Sequence, residues 1–248
     1  MLAACLQLKI KLCDLDDNVR RASNLAEYAL HEGAEILIFP ELFLTGFCYK
    51  PSTWDSTPFP ILHPFRKIAE EHDCIIIGSF MSKRLNMGFC LESESIKFQP
   101  KIHPFGQEKE HFDGGEVITP IDTKKGKVGL EICYDLRFPE VARCLSLKGA
   151  DILVTVAQFP AQRLSHWRTL CLARTIENQI PHLACNWANA GGSLIIDACG
   201  EVLAEAGSNE AIIIDKVDLA KRNSIRKEIP CFADRKPEIY RSVHEGSY

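Results

Sequence analysis

The 248-residue chain lacks any apolar run that approaches the roughly 20 residues needed to cross a bilayer. Its first ten residues, MLAACLQLKI, have neither the basic leader nor the long apolar segment of a signal peptide. Lysine and arginine are scattered and the net charge is -4, so the chain also lacks the basic stripe typical of nucleic-acid-binding proteins. We therefore expect a soluble cytoplasmic protein with no membrane and no nucleic-acid partner.

The chain also lacks any Cys-x-x-Cys pair, although it contains 11 cysteines. Their odd number and single placement give no zinc site and no obvious disulfide framework. Cys5, Cys74 and Cys185 lie inside apolar runs, where a thiol packs as a small hydrophobic group. We expect most cysteines to be reduced core residues, with no metal and no cofactor bound, while oxidation of one pair stays open.

Strand-like and helix-like segments alternate along the chain without a linker, which predicts a single α/β domain over residues 1–248. The predicted strands cover 2–8, 35–39, 74–79, 88–92, 95–99, 128–132, 151–156, 181–187, 193–197 and 211–217. The predicted helices cover 17–32, 64–72, 139–148 and 164–178, and the tail after 217 is predicted to be irregular. So many strands favour two sheets packed face to face under helical cover.

The segment VGLEICYDLRFPE, residues 128–140, leads an apolar strand into a tight turn with Cys133 at its tip. The strand shows alternating apolar residues, and a helix pattern begins at Pro139. A thiol at this junction lies near free backbone N–H groups and the positive end of a helix dipole, which favours the thiolate. The segment therefore predicts a nucleophile, with a small buried hydrophobic cysteine as the alternative.

Three chemically distinct side chains each follow a predicted strand, namely Glu41, Lys101 and Cys133. Ligands of α/β sheets bind at the carboxyl ends of strands, so these groups can converge in one pocket. Their chemistry fits acyl transfer, in which Glu41 takes the thiol proton and the thiolate attacks a carbonyl carbon. Lys101 and the backbone N–H of Tyr134 would stabilise the oxyanion, and Glu41 would then protonate the departing ammonia.

Three motifs resemble the nitrilase superfamily of carbon-nitrogen hydrolases: FPELFLTGF at 39–47, PKIHPF at 100–105 and LEICYDLRFPE at 130–140. The resemblance assigns the Glu-Lys-Cys triad of that family to Glu41, Lys101 and Cys133. It also implies a four-layer αββα sandwich and at least a homodimer. The second glutamate of the family, which orients the lysine, falls on Glu108, with Glu110 as the competitor.

The nucleophile motif CYDLRFP resembles the amidase branches of the superfamily, including ω-amidases that act on 2-oxo acid amides. A dicarboxylate monoamide has a free carboxylate, for which a guanidinium is a good bidentate partner. Arg163 is the first candidate for this contact and Arg168 the second, while an arginine whose stem packs at a helix start is the alternative. Hydrolysis of N-carbamoyl amides or nitriles, or a catalytically silent binding protein with this fold, are the competing functions.

Several nearby residues are assigned structural parts. Asp135 and Arg137 are expected to brace the nucleophile turn by pairing with each other or with Glu140. His103 and His111, which flank the lysine loop, are expected to pack or to form hydrogen bonds. The loop over 186–192 is shorter than in typical members of the superfamily, which predicts a site open to bulkier amides.

Overall fold

The computed structural model describes residues 1–49 and 60–244, with side chains up to residue 240. Its strands are β1 (Leu2–Gln7), β2 (Ile36–Ile38), β3 (Ile75–Ser82), β4 (Leu85–Leu91), β5 (Ile96–Pro100), β6 (Ile121–Thr123), β7 (Gly126–Ile132), β8 (Ile152–Ala157), β9 (His182–Asn186), β10 (Leu194–Ile196), β11 (Val202–Glu205) and β12 (Ala211–Lys216). Its helices are α1 (Leu15–His31), α2 (His63–His72), α3 (Glu108–His111), α4 (Pro139–Leu147), α5 (Leu164–Asn178), α6 (Lys221–Glu228) and α7 (Pro237–His244).

The strands form two mixed sheets of six strands each. The first sheet has the order β12-β1-β2-β3-β4-β5, and the second has the order β11-β10-β9-β8-β7-β6. The centre of each sheet is a parallel trio, β1-β2-β3 in the first and β7-β8-β9 in the second. Antiparallel strands flank both trios, including the predicted hairpin of β4 and β5.

Alternation along the strands explains how the sheets stack, since successive side chains of a strand point to opposite faces. In β1, Ala3 and Cys5 face the second sheet, whereas Ala4 and Leu6 face α1 and α2. On the second sheet, the inner face packs into the same inter-sheet core and the outer face is covered by α4 and α5. The layers are therefore helix, sheet, sheet, helix, which confirms the predicted αββα sandwich.

Helix α1 illustrates why the outer layers form. Asp14 caps its first turn by accepting a hydrogen bond from the backbone N–H of Asp17. Ala22, Ala26 and Ala29 recur at helical spacing and are fully buried against the first sheet. Small residues on this face let the helix approach the sheet closely, so the core can be filled by the larger side chains of the strands and of α2.

Parts of the sequence prediction need correction. The tail after 217 is not irregular, because it contains α6 and α7, and the short strands β6 and β11 were not predicted. Oxidation of one cysteine pair, which the sequence leaves open, occurs between Cys13 and Cys48, 35 residues apart with their Cα atoms 5.2 Å from each other, while the other nine cysteines are free. The segment between the predicted strand 35–39 and the predicted helix 64–72 lies partly outside the described residues. Within the described ranges, no helix is both long and apolar enough to cross a membrane.

Candidate active site

The ends of three strands bring the predicted site residues together. Glu41 follows β2 of the first sheet, Lys101 follows β5 of the same sheet, and Cys133 follows β7 of the second sheet. Because the two sheets stack face to face, these strand ends meet at one end of the sandwich. Glu108, on the short helix α3, completes the group.

Lys101 lies at the centre of a buried ion-pair cluster. Its Nζ is 2.7 Å from Oε1 of Glu41 and 2.7 Å from Oε2 of Glu108. The lysine is 1% exposed and Glu41 is fully buried, so both charges depend on each other for compensation. Glu108 is also buried, whereas Glu110 is exposed on the other side of α3, so the geometry favours Glu108 as the partner of the lysine.

Neighbouring donors fix both oxygens of the Glu41 carboxylate. Oε1 also accepts a hydrogen bond from Nδ2 of Asn86 at 2.8 Å, and Oε2 accepts one from the backbone N–H of Gln158 at 2.9 Å. The backbone carbonyl of Asn86 accepts the N–H of Lys101 at 2.9 Å, so this residue of β4 aligns both members of the pair. A carboxylate with this many fixed donors has little rotational freedom.

The nucleophile turn has an unusual backbone conformation. Cys133 has a φ of 48°, in the left-handed region that non-glycine residues rarely adopt, and it opens a 3-10 turn over residues 133–137. The first N–H groups of a helical turn have no partner within it. A strained residue at this position is held by its surroundings, and such strain is often found at functional sites.

Asp135 is what holds the turn, by contacts that differ from the predicted ones. Its buried carboxylate accepts the backbone N–H of Ile132 at 3.2 Å, of Ile102 at 3.2 Å and of His103 at 2.9 Å. Asp135 therefore ties the lysine loop to the nucleophile turn. The predicted pairing with Arg137 or Glu140 is wrong, because the backbone groups of the facing loop fill its acceptor sites.

The two histidines of this region pack as predicted. The ring of His103 lies 3.7 Å from that of Phe138, and its Nδ1 is 2.9 Å from Oδ1 of Asp135. The ring of His111 stacks on Tyr49 at 3.9 Å. Both contacts brace the loop that carries Lys101 and Glu108.

The protonation of Cys133 is the opposite of the predicted thiolate. Burial raises the pKa of the Cys133 thiol well above its ordinary value, and the negative charge of Glu41 raises it further, against the opposing effect of Lys101. Glu108 acts in the same direction as Glu41. The resting group is therefore a thiol, because burial and two carboxylates outweigh the charge of Lys101.

The charges of the ion-pair partners follow from the same arrangement. Burial by itself lowers the pKa of Lys101, but Glu41, Cys133 and Glu108 together more than offset this and hold it above its ordinary value. Burial and the charge of Glu41 raise the pKa of Glu108 to about 7, although Lys101 opposes the shift. Lys101 consequently stays charged at neutral pH, while Glu108 is poised to gain a proton just below it.

A cavity of about 130 Å³ opens beside the thiol. Its walls include four aromatic rings and two guanidinium groups, contributed by Phe47, Phe105, Tyr134, Phe159, Arg137 and Arg163. Arg168 does not line this cavity, since it pairs with Glu205 at 3.2 Å on the surface. The loop over 186–192 does not line it either, so the prediction of a wider site finds no support in this small cavity.

Two residues that contact Glu41, namely Gln158 and Asn86, were not predicted from the sequence. Gln158 follows β8 directly, so the rule of strand ends that selected Glu41 and Cys133 applies to it as well. Asn86 lies within an antiparallel strand and carries no comparable signal. In the part of the chain that the structure describes, no cluster of His, Cys, Asp and Glu is arranged to hold a metal ion.

The chain is similar to known proteins over most of its length. A family model described as carbon-nitrogen hydrolase matches residues 2–227. The 2-oxoglutaramate amidase of Bacillus subtilis (strain 168) is 32% identical, over 96% of this chain and 98% of that protein. The omega-amidase NIT2 of Homo sapiens is 30% identical, over 96% and 95%.

Solved structures agree with these relatives. The carbon-nitrogen hydrolase of Helicobacter pylori G27 superposes with a TM-score of 0.89 at 25% identity, covering 99% of this chain and 98% of that one. Nit3 of Saccharomyces cerevisiae, described as a member of branch 10 of the nitrilase superfamily, gives a TM-score of 0.87 at 27% identity, covering 95% and 96%.

Proposed function

The chain belongs to the carbon-nitrogen hydrolase family, and on this premise we propose that it cleaves a short carboxamide to a carboxylate and ammonia through a thioester on Cys133. The observation that carries the proposal is the buried contact of Lys101 with Glu41 and Glu108, whose charges all act on the Cys133 thiol. An acid-base group and an ammonium whose charges act on a nucleophile are what acyl transfer requires.

Glu41 acts first as the general base. Since the resting Cys133 is a thiol, it needs a base to become nucleophilic, and Glu41 is the carboxylate whose two oxygens are held in place. As the S–H proton moves to Glu41, the sulfur forms a bond to the amide carbon and the carbonyl π electrons move to oxygen. The product of this step is a tetrahedral oxyanion.

Two donors stabilise that oxyanion. The Lys101 ammonium keeps its charge throughout, since the carboxylates around it raise its pKa. The backbone N–H of Tyr134, near the start of the nucleophile turn, is the second donor. Removing one such donor costs roughly 10²–10³ in kcat in enzymes of comparable chemistry.

Collapse of the intermediate releases ammonia. Protonated Glu41 gives its proton to the amide nitrogen as the C–N bond breaks, and the acyl group stays on sulfur as a thioester. Water then enters, Glu41 takes one of its protons, and the hydroxide attacks the thioester carbon. The C–S bond breaks, the acid product leaves, and the sulfur regains a proton from Glu41.

We propose a dicarboxylate monoamide or 2-oxo acid amide, such as 2-oxoglutaramate, as the substrate. Arg163 and Arg137 both line the cavity, and no carboxylate among the described residues forms an ion pair with either of them. Their N–H groups can therefore hold the distal carboxylate of such a molecule, with the Arg137 guanidinium placed 5.0 Å from the centre of the Phe159 ring. The names of the two relatives given above support the same substrate class.

Ammonia release from four kinds of substrate tests the proposal. We expect turnover of 2-oxoglutaramate and succinamate, with little or none of N-carbamoyl compounds and nitriles. Preference for an N-carbamoyl amide or a nitrile would assign the chain to another activity of the family. No turnover of any of them by a folded protein would favour a silent binding protein.

Arginine variants test the carboxylate contact. We expect Arg163→Gln and Arg137→Gln to raise the KM for succinamate by about ten- to a hundredfold, the effect of losing a charged hydrogen bond. The KM for butyramide, which has no carboxylate, should change little. Arg168→Gln is the matched control, because its guanidinium pairs with Glu205 outside the cavity. Equal losses on both amides would contradict the contact.

We further propose that residues 1–248 form one hydrolase domain, that the protein acts in the cytoplasm, and that it assembles as a homodimer or larger homo-oligomer. The outer helical layer of the second sheet supports assembly, since Ile176 of α5 is 56% exposed and Leu147 of α4 is 44% exposed. Exposed large apolar side chains on neighbouring helices are typical of protein contacts. Cell fractionation with an antibody to the chain tests the compartment.

A further inference from the structure

Behind the nucleophile lies a buried polar group that the proposed mechanism does not use. Glu131 precedes Cys133 by two residues on β7 and is 1% exposed. Thr155 of β8 is its register partner, and His182 lies on β9, the next strand. Leu130 and Ile132 face the inter-sheet core, so Glu131 faces the layer of α4 and α5 instead.

The contacts in this group form a chain. Oγ1 of Thr155 is 2.8 Å from Oε1 of Glu131 and 2.7 Å from Nε2 of His182. Nδ1 of His182 is 3.2 Å from the backbone carbonyl oxygen of Cys171 on α5. All three side chains are essentially inaccessible to solvent.

The hydrogen-bond series of Glu131, Thr155 and His182 needs one proton more than an ionised Glu131 and a neutral His182 provide. A carbonyl oxygen only accepts, so Nδ1 of His182 carries a hydrogen, and in a neutral ring Nε2 is then an acceptor. Thr155 has one hydroxyl hydrogen, which cannot serve both Nε2 and an ionised Glu131. One additional proton satisfies both contacts, with Glu131 donating to Thr155 and Thr155 donating to His182.

The surroundings decide which end holds this proton. Burial lowers the pKa of His182 to about 4, and burial raises the pKa of Glu131 to about 7. The charged groups that face Glu131 are Asp135 of the nucleophile turn and Arg174 and Glu177 of α5. The two carboxylates raise the pKa of Glu131, whereas the Thr155 hydrogen bond and the charge of Arg174 lower it without cancelling the effect of burial. Below about pH 7 the proton therefore stays on Glu131, and the imidazole is neutral.

Arg174 connects this group to the nucleophile turn. It is 4% exposed, and its guanidinium donates to the backbone carbonyl of Leu136 at 2.8 Å and 3.1 Å and to Glu177 at 3.0 Å. Leu136 belongs to the turn that begins at Cys133. An ionised Glu131 would attract this guanidinium and weaken its hold on the turn.

We propose that Glu131 is a protonated positioning residue. With Thr155 and His182 it shares one buried proton that keeps the nucleophile turn in place. When hydroxide from solvent removes this proton, the turn loosens. The inference rests on the proposed function insofar as Cys133 is the nucleophile. The shared proton itself does not depend on it. Ionisation of Glu131 is expected to lower kcat more than it raises KM, because Glu131 touches no part of the substrate cavity.

Glu131→Gln tests the proton directly, since its amide can donate to Thr155 as the acid does but never ionises. A group whose folded pKa is raised contributes stability that is lost as the pH rises toward that pKa. We therefore expect the thermal midpoint of the wild type to fall relative to Glu131→Gln by several degrees between about pH 5 and pH 7.5. Glu110→Gln, at an exposed position on α3, is the control and should track the wild type.

The second arm compares Thr155→Ser with Thr155→Val. Serine keeps the hydroxyl and should keep the pH dependence. Valine has no hydroxyl, so it removes the hydrogen bonds between Glu131, residue 155 and His182 and should lower kcat at all pH values. The positioning role predicts that wild-type kcat declines above about pH 7 relative to Glu131→Gln, with KM nearly constant. Parallel pH profiles of kcat for these two proteins, or a midpoint difference independent of pH, would overturn the inference. If no amide is turned over at all, the proposed function fails. The pH dependence of the thermal midpoint then tests by itself whether Glu131 is protonated in the folded protein.

Discussion

At the scale of single residues, the site is a cluster of one ammonium, two carboxylates and one thiol that exclude most water. Lys101 compensates Glu41 and Glu108, which leaves an excess of negative charge beside Cys133. Burial, together with that excess, raises the pKa of the Cys133 thiol and keeps the sulfur protonated in the resting state, so chemistry begins with proton transfer. Cys133 therefore has to be activated by a base, because it is not present as a thiolate beforehand.

Glu41→Gln should therefore remove most of the activity. Glutamine keeps the shape and can still accept from Lys101 but cannot take the thiol proton, so we expect kcat to fall by about 10²–10⁴ with the fold preserved. Steady-state ammonia release measures the loss, and far-UV circular dichroism checks the fold. Glu110→Gln serves as the control, and a variant at Glu41 with near wild-type kcat would contradict the base assignment.

Protonation of Glu108 is expected to set the decline of kcat/KM at acid pH. Its pKa of about 7 means that it gains a proton below that pH and loses its charged contact with Lys101, so kcat/KM should decline there. Glu108→Gln should be less active but should no longer show that decline. The stability contribution has the opposite sign, since a raised pKa favours the folded state at low pH and this advantage is lost between about pH 4.5 and 7. An unchanged acid decline in Glu108→Gln would assign it to another group.

At the scale of elements, the nucleophile turn and the lysine loop act as one unit because Asp135 binds backbone groups of both. In Asp135→Ala the N–H groups of Ile132, Ile102 and His103 lose their acceptor. We expect the free energy of unfolding to fall by about 2–3 kcal/mol, the usual cost of losing a buried charged hydrogen bond. Urea denaturation measures this loss, and kcat should fall with it. A stable variant with full kcat would show that the two segments are held independently.

The disulfide ties the loop before α1 to Cys48, which lies between Phe47 and Tyr49. Because Phe47 lines the cavity and Tyr49 stacks on His111, we expect Cys13→Ser to destabilise this wall. A cross-link over 35 residues typically contributes roughly 2–4 kcal/mol, which a urea titration can detect. Cys199→Ser, at an exposed free cysteine, is the control. Equal stability of both variants would mean that the bond does not form in the purified protein.

The sequence predicts the elements that bury apolar residues and misses those that do not. Strand β7 shows its alternation plainly, whereas α6 has no buried residue and so no apolar period to detect. Glu41, Lys101 and Cys133 can be identified because each follows a predicted strand. Glu108 can be identified only from the resemblance to a known family. The partners of Asp135 and the protonation of Cys133 depend on segments distant in sequence, which no local pattern contains.

At the scale of the whole molecule, two sheets of matching design build one site at their shared end. The proposed homodimer would use the outer helical layer of the second sheet. Ile176→Glu, on α5, should shift the mass measured by size-exclusion chromatography with light scattering toward the monomer. Tyr28→Glu is the matched control, because Tyr28 is 59% exposed on α1 of the opposite layer. A dimer that persists in Ile176→Glu and dissociates in Tyr28→Glu would move the interface to the first sheet.

The central claim is that one thiol out of nine free cysteines carries the acyl group. Acid quenching during turnover of an amide substrate, followed by peptide mass spectrometry, measures this directly. We predict an acyl adduct on the peptide that contains Cys133 and no adduct in Cys133→Ala, which should also release no ammonia. An adduct on a different cysteine, or continued ammonia release by Cys133→Ala, would contradict the account.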